Sequence, residues 1–145
     1  MAGSQRPRGA LGVDHGTRRT GFAAADPARI LVTPLEAAEG DDGRVVDAVA
    51  ELREERDVGT LVVGYPLNMD GAAGPRAAEV DAFIARVVER FPDLEVVRQD
   101  ERLTTREAEE RLRDAGFHGA ERKSRVDSWS AMVLLEDWIR AGEPR

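Results

Sequence analysis

The sequence predicts an α/β fold in which a mixed five-stranded sheet is flanked by helices. Three short apolar runs follow one another closely near the N-terminus, which favours an antiparallel meander. The near-continuous apolar run 58–64 is typical of a strand that is buried on both faces. Strand-like runs then alternate with helical apolar patterns, so right-handed crossovers should place the later strands parallel to one another.

The first half of the chain should contain the meander, a helix and the buried strand. Alternating short apolar runs and turn residues place the meander strands at 10–13, 21–25 and 29–32. The first of these strands ends on Asp14, and Pro34 should end the third. Valines at helical spacing among charged residues predict a helix at about 41–56, directly before the buried strand.

The second half should contain a helix, a strand and two further helices. The first helix follows Gly74–Pro75, and the strand after it begins at Leu94. Thr104 and Glu107 have capping-box spacing, which predicts that Thr104 caps the next helix. A polar hinge and a final helix are expected at 117–123 and 124–140.

Composition limits the classes to which the protein can belong. Its 145 residues suffice for one domain, expected at 9–140 after a loose N-terminal tail at 1–8. There is no apolar run long enough to span a bilayer, and the absence of cysteine excludes disulfides and Cys-ligated zinc. The absence of cysteine fits a protein of the reducing cytoplasm. A net charge of −7 argues against a protein that coats nucleic acid by bulk charge, but an acidic nuclease site is compatible with it.

Three positions carry candidate catalytic acids. Asp14 ends the first strand, Asp100 and Glu101 end the last strand, and Asp127 continues the apolar stripe of the final helix in its first turn. Carboxylates that meet at strand ends repel one another, and hard cations such as Mg²⁺ or Mn²⁺ relieve that repulsion. Such ions can activate water and stabilise the leaving oxygen in phosphodiester hydrolysis.

Each acid also has a structural interpretation, because spacing alone does not show that the three converge. Asp14 could simply start a turn, and Glu101 could pair with a nearby arginine on the surface. Ser124 and Asp127 have capping-box spacing, so Asp127 could serve only its own helix N-terminus. His15 is isolated in the sequence, and no pattern marks it as a metal ligand or a general base.

Basic residues could form a rim that binds phosphates around such a site. The candidates are Arg18, Arg19, Arg76, Arg102, Arg106, Arg122, Lys123 and Arg125. A solvated surface is the alternative for any single one of them. Asn68 and Asp70 follow the buried strand, at the sheet edge where α/β proteins bind ligands, although a long turn built on Pro66 and Gly71 would also explain the loop.

The chain contains, in this order, four longer segments: GVDHGTRRTGFAAAD, VVGYPLNMDGAAGPRA, DERLTTREAEERL and KSRVDSWSAMVLLEDW. Together they resemble the YqgF (RuvX) family of bacterial proteins, described as Holliday-junction-resolvase-like and as pre-16S rRNA nucleases. The resemblance implies an RNase H-like fold with a metal-dependent acidic site. Asp14, Glu101 and Asp127 would be its catalytic residues and would bind Mg²⁺ or Mn²⁺, which favours Glu101 over Asp100. His15 and Ser130 depart from the family pattern without removing any of the three acids.

The resemblance implies a metal-dependent nuclease that acts in 5′-end maturation of pre-16S rRNA. The substrate-binding residues would be Arg18, Arg19, Asn68, Arg102 and Lys123. The expected partners are precursor rRNA and the ribosomal particle, and the chain could be a monomer or a homodimer. One alternative is a Holliday junction resolvase that acts on four-way DNA, and another is a non-catalytic RNA-binding factor for ribosome assembly. An actin-like ATPase fits less well, because one small domain is too short for a two-lobed nucleotide cleft.

Overall fold

The N-terminal part of the chain forms the antiparallel meander that the sequence predicts. The computed structural model describes residues 6–145, and its first three strands are β1 (Gly9–Asp14), β2 (Arg19–Ala25) and β3 (Val32–Glu39). β1 and β2 pair so that Asp14 lies opposite Gly21. β3 pairs with the other side of β2 and forms one edge of the sheet.

The rest of the sheet is parallel, so the predicted mixed five-stranded sheet is confirmed. Helix α1 (Asp42–Arg56) leads to β4 (Val58–Tyr65), and helix α2 (Pro75–Arg90) leads to β5 (Glu95–Asp100). β4 lies between β1 and β5 and runs parallel to both. The strand order is therefore β3-β2-β1-β4-β5.

The two faces of the sheet bury two separate apolar clusters. Leu11 and Val13 of β1 pack with residues of α1 and α2 on one face. Ala10, on the opposite face of the same strand, packs against the last helix, α4 (Gly119–Arg140). Helix α3 (Thr104–Asp114) packs on α4. The alternation along β1 is what a strand covered on both sides requires.

Two glycines allow α4 to lie directly on the meander. A Cβ atom at Gly12 would come within 2.7 Å of the carbonyl oxygen of Ala131, and one at Gly21 within 2.1 Å of that of Asp127. Both distances are too short for any side chain, and backbone cannot move aside as a flexible side chain can. The glycines therefore set the distance between sheet and helix, and with it the position of Asp127.

The prediction for the third strand was wrong. Ile30 and Leu31 lie in an exposed turn, and the strand begins at Val32 and continues through Pro34. The carboxylate of Asp26 accepts hydrogen bonds from the backbone N–H groups of both turn residues, at 2.8 and 2.7 Å, and so closes the turn. Pro34 is tolerated because β3 is an edge strand, where a missing N–H leaves no partner strand unpaired.

The predicted start of the final helix was also wrong. α4 begins at Gly119, so its first turns cover most of the expected hinge. Ser124 and Asp127 lie inside the helix rather than at its N-terminus. The hydroxyl of Ser124 donates to the carbonyl of Glu121, one turn earlier, at 2.9 Å. The capping interpretation of Asp127 is thereby excluded.

The predicted N-terminal tail is only partly covered, because residues 1–5 lie outside the described residues. Arg6 and Arg8 both bind the carboxylate of Asp57, which follows α1, and Arg6 holds the pKa of Asp57 below its usual range. Within residues 6–145, none of the helices combines the length and the apolar character that crossing a membrane requires.

Candidate active site at the carboxyl edge of the sheet

The candidate site lies where three neighbouring parallel strands end. Asp14 is the last residue of β1, Tyr65 the last of β4, and Glu101 directly follows β5. The backbone N–H of Glu101 donates to the carbonyl of Tyr65 at 3.3 Å, which extends the pairing of the two strands by one residue. Carboxyl ends of parallel strands meet at one edge, and that edge is where open α/β sheets bind ligands.

Two neighbours fix the side chain and the backbone of Glu101. A Cβ atom at Gly64 would lie 2.6 Å from Oε2 of Glu101, so the carboxylate occupies the space that this glycine leaves open. The hydroxyl of Thr104 donates to the carbonyl of Glu101 at 2.8 Å. The predicted capping role of Thr104 was therefore wrong, because Leu103 is the residue at the N-cap and no side chain caps α3.

Asp14 and Glu101 form a coupled pair of carboxyl groups. Burial raises the pKa of Asp14 well above its usual range, and the charge of Glu101 and a hydrogen bond to it raise the pKa further. Burial also raises the pKa of Glu101, while its hydrogen bond with Asp14 lowers that pKa. Because the hydrogen bond between them raises the pKa of Asp14 and lowers that of Glu101, Asp14 is the member of the pair that holds a proton more tightly.

Asp127 faces the same region but is held by an arginine. Nε of Arg19 donates to Oδ2 of Asp127 at 2.6 Å, and Nη2 of Arg19 donates to the carbonyl of Lys123 at 3.3 Å. The negative charge of Asp127 nevertheless contributes to the raised pKa of Asp14. The structure thus brings two of the three predicted acids into contact and places the third beside them, in an ion pair.

Four of the eight predicted basic residues lie at two places around the acid pair: three share a cleft, and Arg102 directly follows Glu101. Arg18, Arg19 and Lys123 line a cleft of about 570 Å³ together with Asp127. Arg102 pairs with Asp100 at 2.6 Å. Asn68 is exposed in the neighbouring loop after β4, with its side-chain amide beside Gly74 at the start of α2.

Arg76, which the sequence marked only as one of eight basic candidates, lies close to the acid pair. Its positive charge lowers the pKa of both Asp14 and Glu101. Its Nη2 donates to the backbone carbonyl of His15 at 2.6 Å and lies 3.2 Å from Nδ1 of the same residue. The only available signal was its place in the Gly74–Pro75–Arg76 helix start, which follows the loop of Asn68.

His15 is not isolated, contrary to the prediction. Its ring is buried, stacks on Phe83 at 4.7 Å between ring centroids, and places Nε2 at 2.7 Å from a carboxylate oxygen of Asp42. With Nε2–H donating to Asp42, Nδ1 is free to accept from Arg76. Asp42, His15 and Arg76 therefore form a chain that fixes the guanidinium beside the acids.

The side chains at this edge fit a hard divalent cation. Carboxylate oxygens are the ligands that Mg²⁺ and Mn²⁺ prefer, and a cation would remove the repulsion between Asp14 and Glu101. Within residues 6–145, no three His, Cys, Asp or Glu side chains lie close enough together to hold a metal ion. Asp127 is the nearby third carboxylate, and it forms an ion pair with Arg19.

Comparisons with known proteins agree with this architecture. A profile of the RuvX family, described as "Holliday junction resolvase", matches residues 8–141. A protein of Mycobacteroides abscessus named "Putative pre-16S rRNA nuclease" is 37% identical over 131 residues, which are 89% of this chain and 79% of that protein. A protein of the same name from Anaeromyxobacter sp. (strain Fw109-5) is 41% identical over 130 residues, 89% of this chain and 94% of that protein.

The fold is similar to that of a solved structure. The structure of Thermus thermophilus RuvC in complex with a Holliday junction substrate matches with a TM-score of 0.58 and 14% sequence identity, covering 94% of this chain and 97% of that chain. A mixed five-stranded sheet in this strand order, flanked by helices, places the chain in the class of proteins with an RNase H-like fold. Within that class, this chain belongs to the RuvX family.

Proposed function

We propose that this protein is a metal-dependent nuclease. The observation that carries the proposal is the contact between Asp14 and Glu101 at the carboxyl edge of the sheet, where burial raises the pKa of both groups and the charge of Glu101 raises that of Asp14 further. Such a pair is costly to keep unless the site uses it, and perturbed carboxyl groups of this kind are typical of catalytic sites. The names of the family's curated members support the same activity.

Three side chains would hold the cation. Asp14 and Glu101 present their oxygens from adjoining strand ends, and Asp127 would join them from α4. The bound Mg²⁺ or Mn²⁺ would activate water and neutralise charge on the leaving oxygen of a phosphodiester. Arg76, fixed by His15, would offer its guanidinium to the phosphate that is attacked. Its positive charge lowers the pKa of both Asp14 and Glu101, so it lies close to the site where the phosphate would bind.

The remaining candidate residues would bind the substrate away from the reacting phosphate. Arg18, Arg19 and Lys123 would contact backbone phosphates along their cleft. Arg102 would contact the chain beside Glu101, and exposed Asn68 would offer an amide that can both donate and accept. A single strand could then pass over the acid pair.

We assign precursor 16S rRNA as the substrate, cleaved during maturation of its 5′ end, because the curated relatives carry that name. This role places the protein in the cytoplasm, with the ribosomal particle as a partner. The description of the matching family makes four-way DNA the second candidate substrate. Cutting two strands of a junction symmetrically would require two copies of the chain.

The test is cleavage of a labelled RNA that spans the precursor's 5′ region, with a four-way DNA junction as the competing substrate. Reactions contain Mn²⁺, Mg²⁺ or a chelator, at matched ionic strength. The wild type should cut the RNA only with metal, and Asp14→Asn should lower the rate by at least about 100-fold, since it removes a negatively charged metal ligand.

Asp47→Asn is the matched control, because Asp47 lies on α1 and pairs with Arg90 on the surface. It should cleave as the wild type does. Equal activity of Asp14→Asn and the wild type would remove Asp14 from the mechanism. Cutting of the junction but not of the RNA would replace the RNA proposal with the resolvase.

A further inference from the structure

Arg19 has two competing uses at this site. Its guanidinium holds Asp127 at 2.6 Å and also lies in the cleft that it shares with Arg18 and Lys123. The side chains of Arg19 and Asp127 are 32% and 27% exposed, so solvent and solutes reach the ion pair. An arginine in this position can exchange one anion for another without any movement of the fold.

The geometry of the pair is set by the backbone. Arg19 begins β2, and Gly21 two residues later lies against the backbone carbonyl of Asp127. Nη2 of Arg19 is anchored on the carbonyl of Lys123, one turn before Asp127 on the same helix. The guanidinium is thus fixed over the helix face from which the third carboxylate projects.

A cation that used all three carboxylates would have to displace Arg19 from Asp127. The cost of that displacement reduces the affinity for the cation as long as the cleft holds no competing anion. A backbone phosphate offers Arg19 an alternative partner with two oxygens, which suits the fork of a guanidinium. Binding of the phosphate would therefore free Asp127 for the cation.

We infer that Arg19 is a positioning residue that couples the two binding events: it holds Asp127 until a nucleic-acid phosphate takes its guanidinium, so that metal and nucleic acid each strengthen the binding of the other. The inference rests on the proposed function, because it takes the three carboxylates as metal ligands. Linkage requires the coupling to be equal in both directions.

The experiment measures Mn²⁺ affinity of chelator-treated protein by isothermal titration calorimetry, without any substrate. Four proteins form a cycle: wild type, Arg19→Gln, Asp127→Asn and the double variant. Arg19→Gln should bind Mn²⁺ about fivefold more tightly than the wild type, as expected for loss of a partly exposed ion pair. In the Asp127→Asn background, Arg19→Gln should leave the Mn²⁺ affinity unchanged, because residue 127 then has no carboxylate that the substitution could release.

Arg18→Gln is the matched control for charge, since Arg18 lines the same cleft and contributes the same positive charge. It should shift the Mn²⁺ affinity far less than Arg19→Gln does. Equal shifts for Arg18→Gln and Arg19→Gln, or the same shift in both Asp127 backgrounds, would mean a general charge effect and would overturn the inference. So would an unchanged affinity in Arg19→Gln.

A second titration tests the exchange itself. It is repeated with a saturating phosphorothioate oligonucleotide, which resists hydrolysis, after subtraction of the metal that the oligonucleotide binds alone. The difference between wild type and Arg19→Gln should disappear, because Asp127 is then free in both. Persistence of the difference would show that phosphate does not take Arg19. A wild type that cleaves RNA with Mn²⁺ but shows no difference from Arg19→Gln would refute only this inference, whereas absence of metal binding and cleavage would refute the proposed function.

Discussion

Asp14 and Glu101 are in contact, so the stability of the site depends on which of them carries a proton. The folded protein holds a proton on Asp14 more tightly than the unfolded chain does, since burial and Glu101 raise its pKa. Without metal, the contribution of Asp14 to wild-type stability should therefore be greatest near or below the ordinary Asp pKa of about 3.9 and be lost as the pH rises to the raised value.

Asp14→Asn should remove this pH-dependent cost. Asn does not titrate, and its amide N–H can donate to Glu101 as the protonated acid does. In chelator at about pH 8, the variant should melt at least ~3 °C above the wild type, and the difference should shrink toward about pH 4. Thermal unfolding monitored by circular dichroism measures both. A melting temperature of Asp14→Asn below that of the wild type at about pH 8 would contradict the repulsion between the two acids.

Single residues also mark the limit of what the sequence could predict. Asp14 and Glu101 were recognisable because each ends a strand, and the resemblance to the family selected Glu101 over Asp100. Arg76 could not be recognised from the sequence, because it contacts His15, which lies 61 positions away along the chain. The departure of His15 from the family pattern was visible, but its partners Asp42 and Arg76 lie on two helices whose packing no local pattern describes.

At the scale of elements, the strands and helices were predicted in the right order, and the errors lie at their ends. The start of β3 was predicted too early because the carboxylate of Asp26 closes a turn through the backbone N–H groups of Ile30 and Leu31. The apolar sequence of these two residues does not distinguish such a turn from the start of a strand. α4 was predicted to begin too late because Ser124 imitates an N-cap. In both cases a polar side chain binds backbone in a way that several local structures allow.

Gly64 links an element to the site, because β4 can approach Glu101 only without a side chain at this position. Gly64→Ala would bring Cβ to 2.6 Å from Oε2 of Glu101. That atom ends a flexible side chain, so the carboxylate should rotate away rather than the strand unfold. We expect the melting temperature to change by less than ~3 °C, while metal-dependent cleavage falls at least about tenfold.

Gly59→Ala is the control for this substitution. Gly59 lies near the other end of β4, where the atoms nearest to an added Cβ belong to the side chain of Arg8, the closest at 3.1 Å. The control should leave both cleavage and Mn²⁺ affinity as in the wild type. If Gly64→Ala cleaved equally well, the position of the Glu101 carboxylate would not matter to the reaction.

For the whole molecule, the distribution of charge matters more than its sum. The net charge of −7 opposes non-specific attachment to nucleic acid. The cleft nevertheless places Arg18, Arg19 and Lys123 together, and Asp127 and Glu39 are the acids that share it. Binding should therefore come from a few localised phosphate contacts, and the rest of the surface should repel the strand.

This charge distribution can be measured through Lys123, the only lysine in the chain. Affinity for a fluorescent single-stranded RNA is followed by anisotropy in chelator over a range of potassium chloride concentrations. Each phosphate contact on a single strand contributes a slope of about −0.7 in the plot of log affinity against log salt. Lys123→Gln should therefore make the slope shallower by about 0.7. Arg140→Gln, which removes the same charge from the exposed end of the same helix, should leave the slope unchanged. Equal slopes for the two variants would mean that the strand does not follow the cleft beside Asp127.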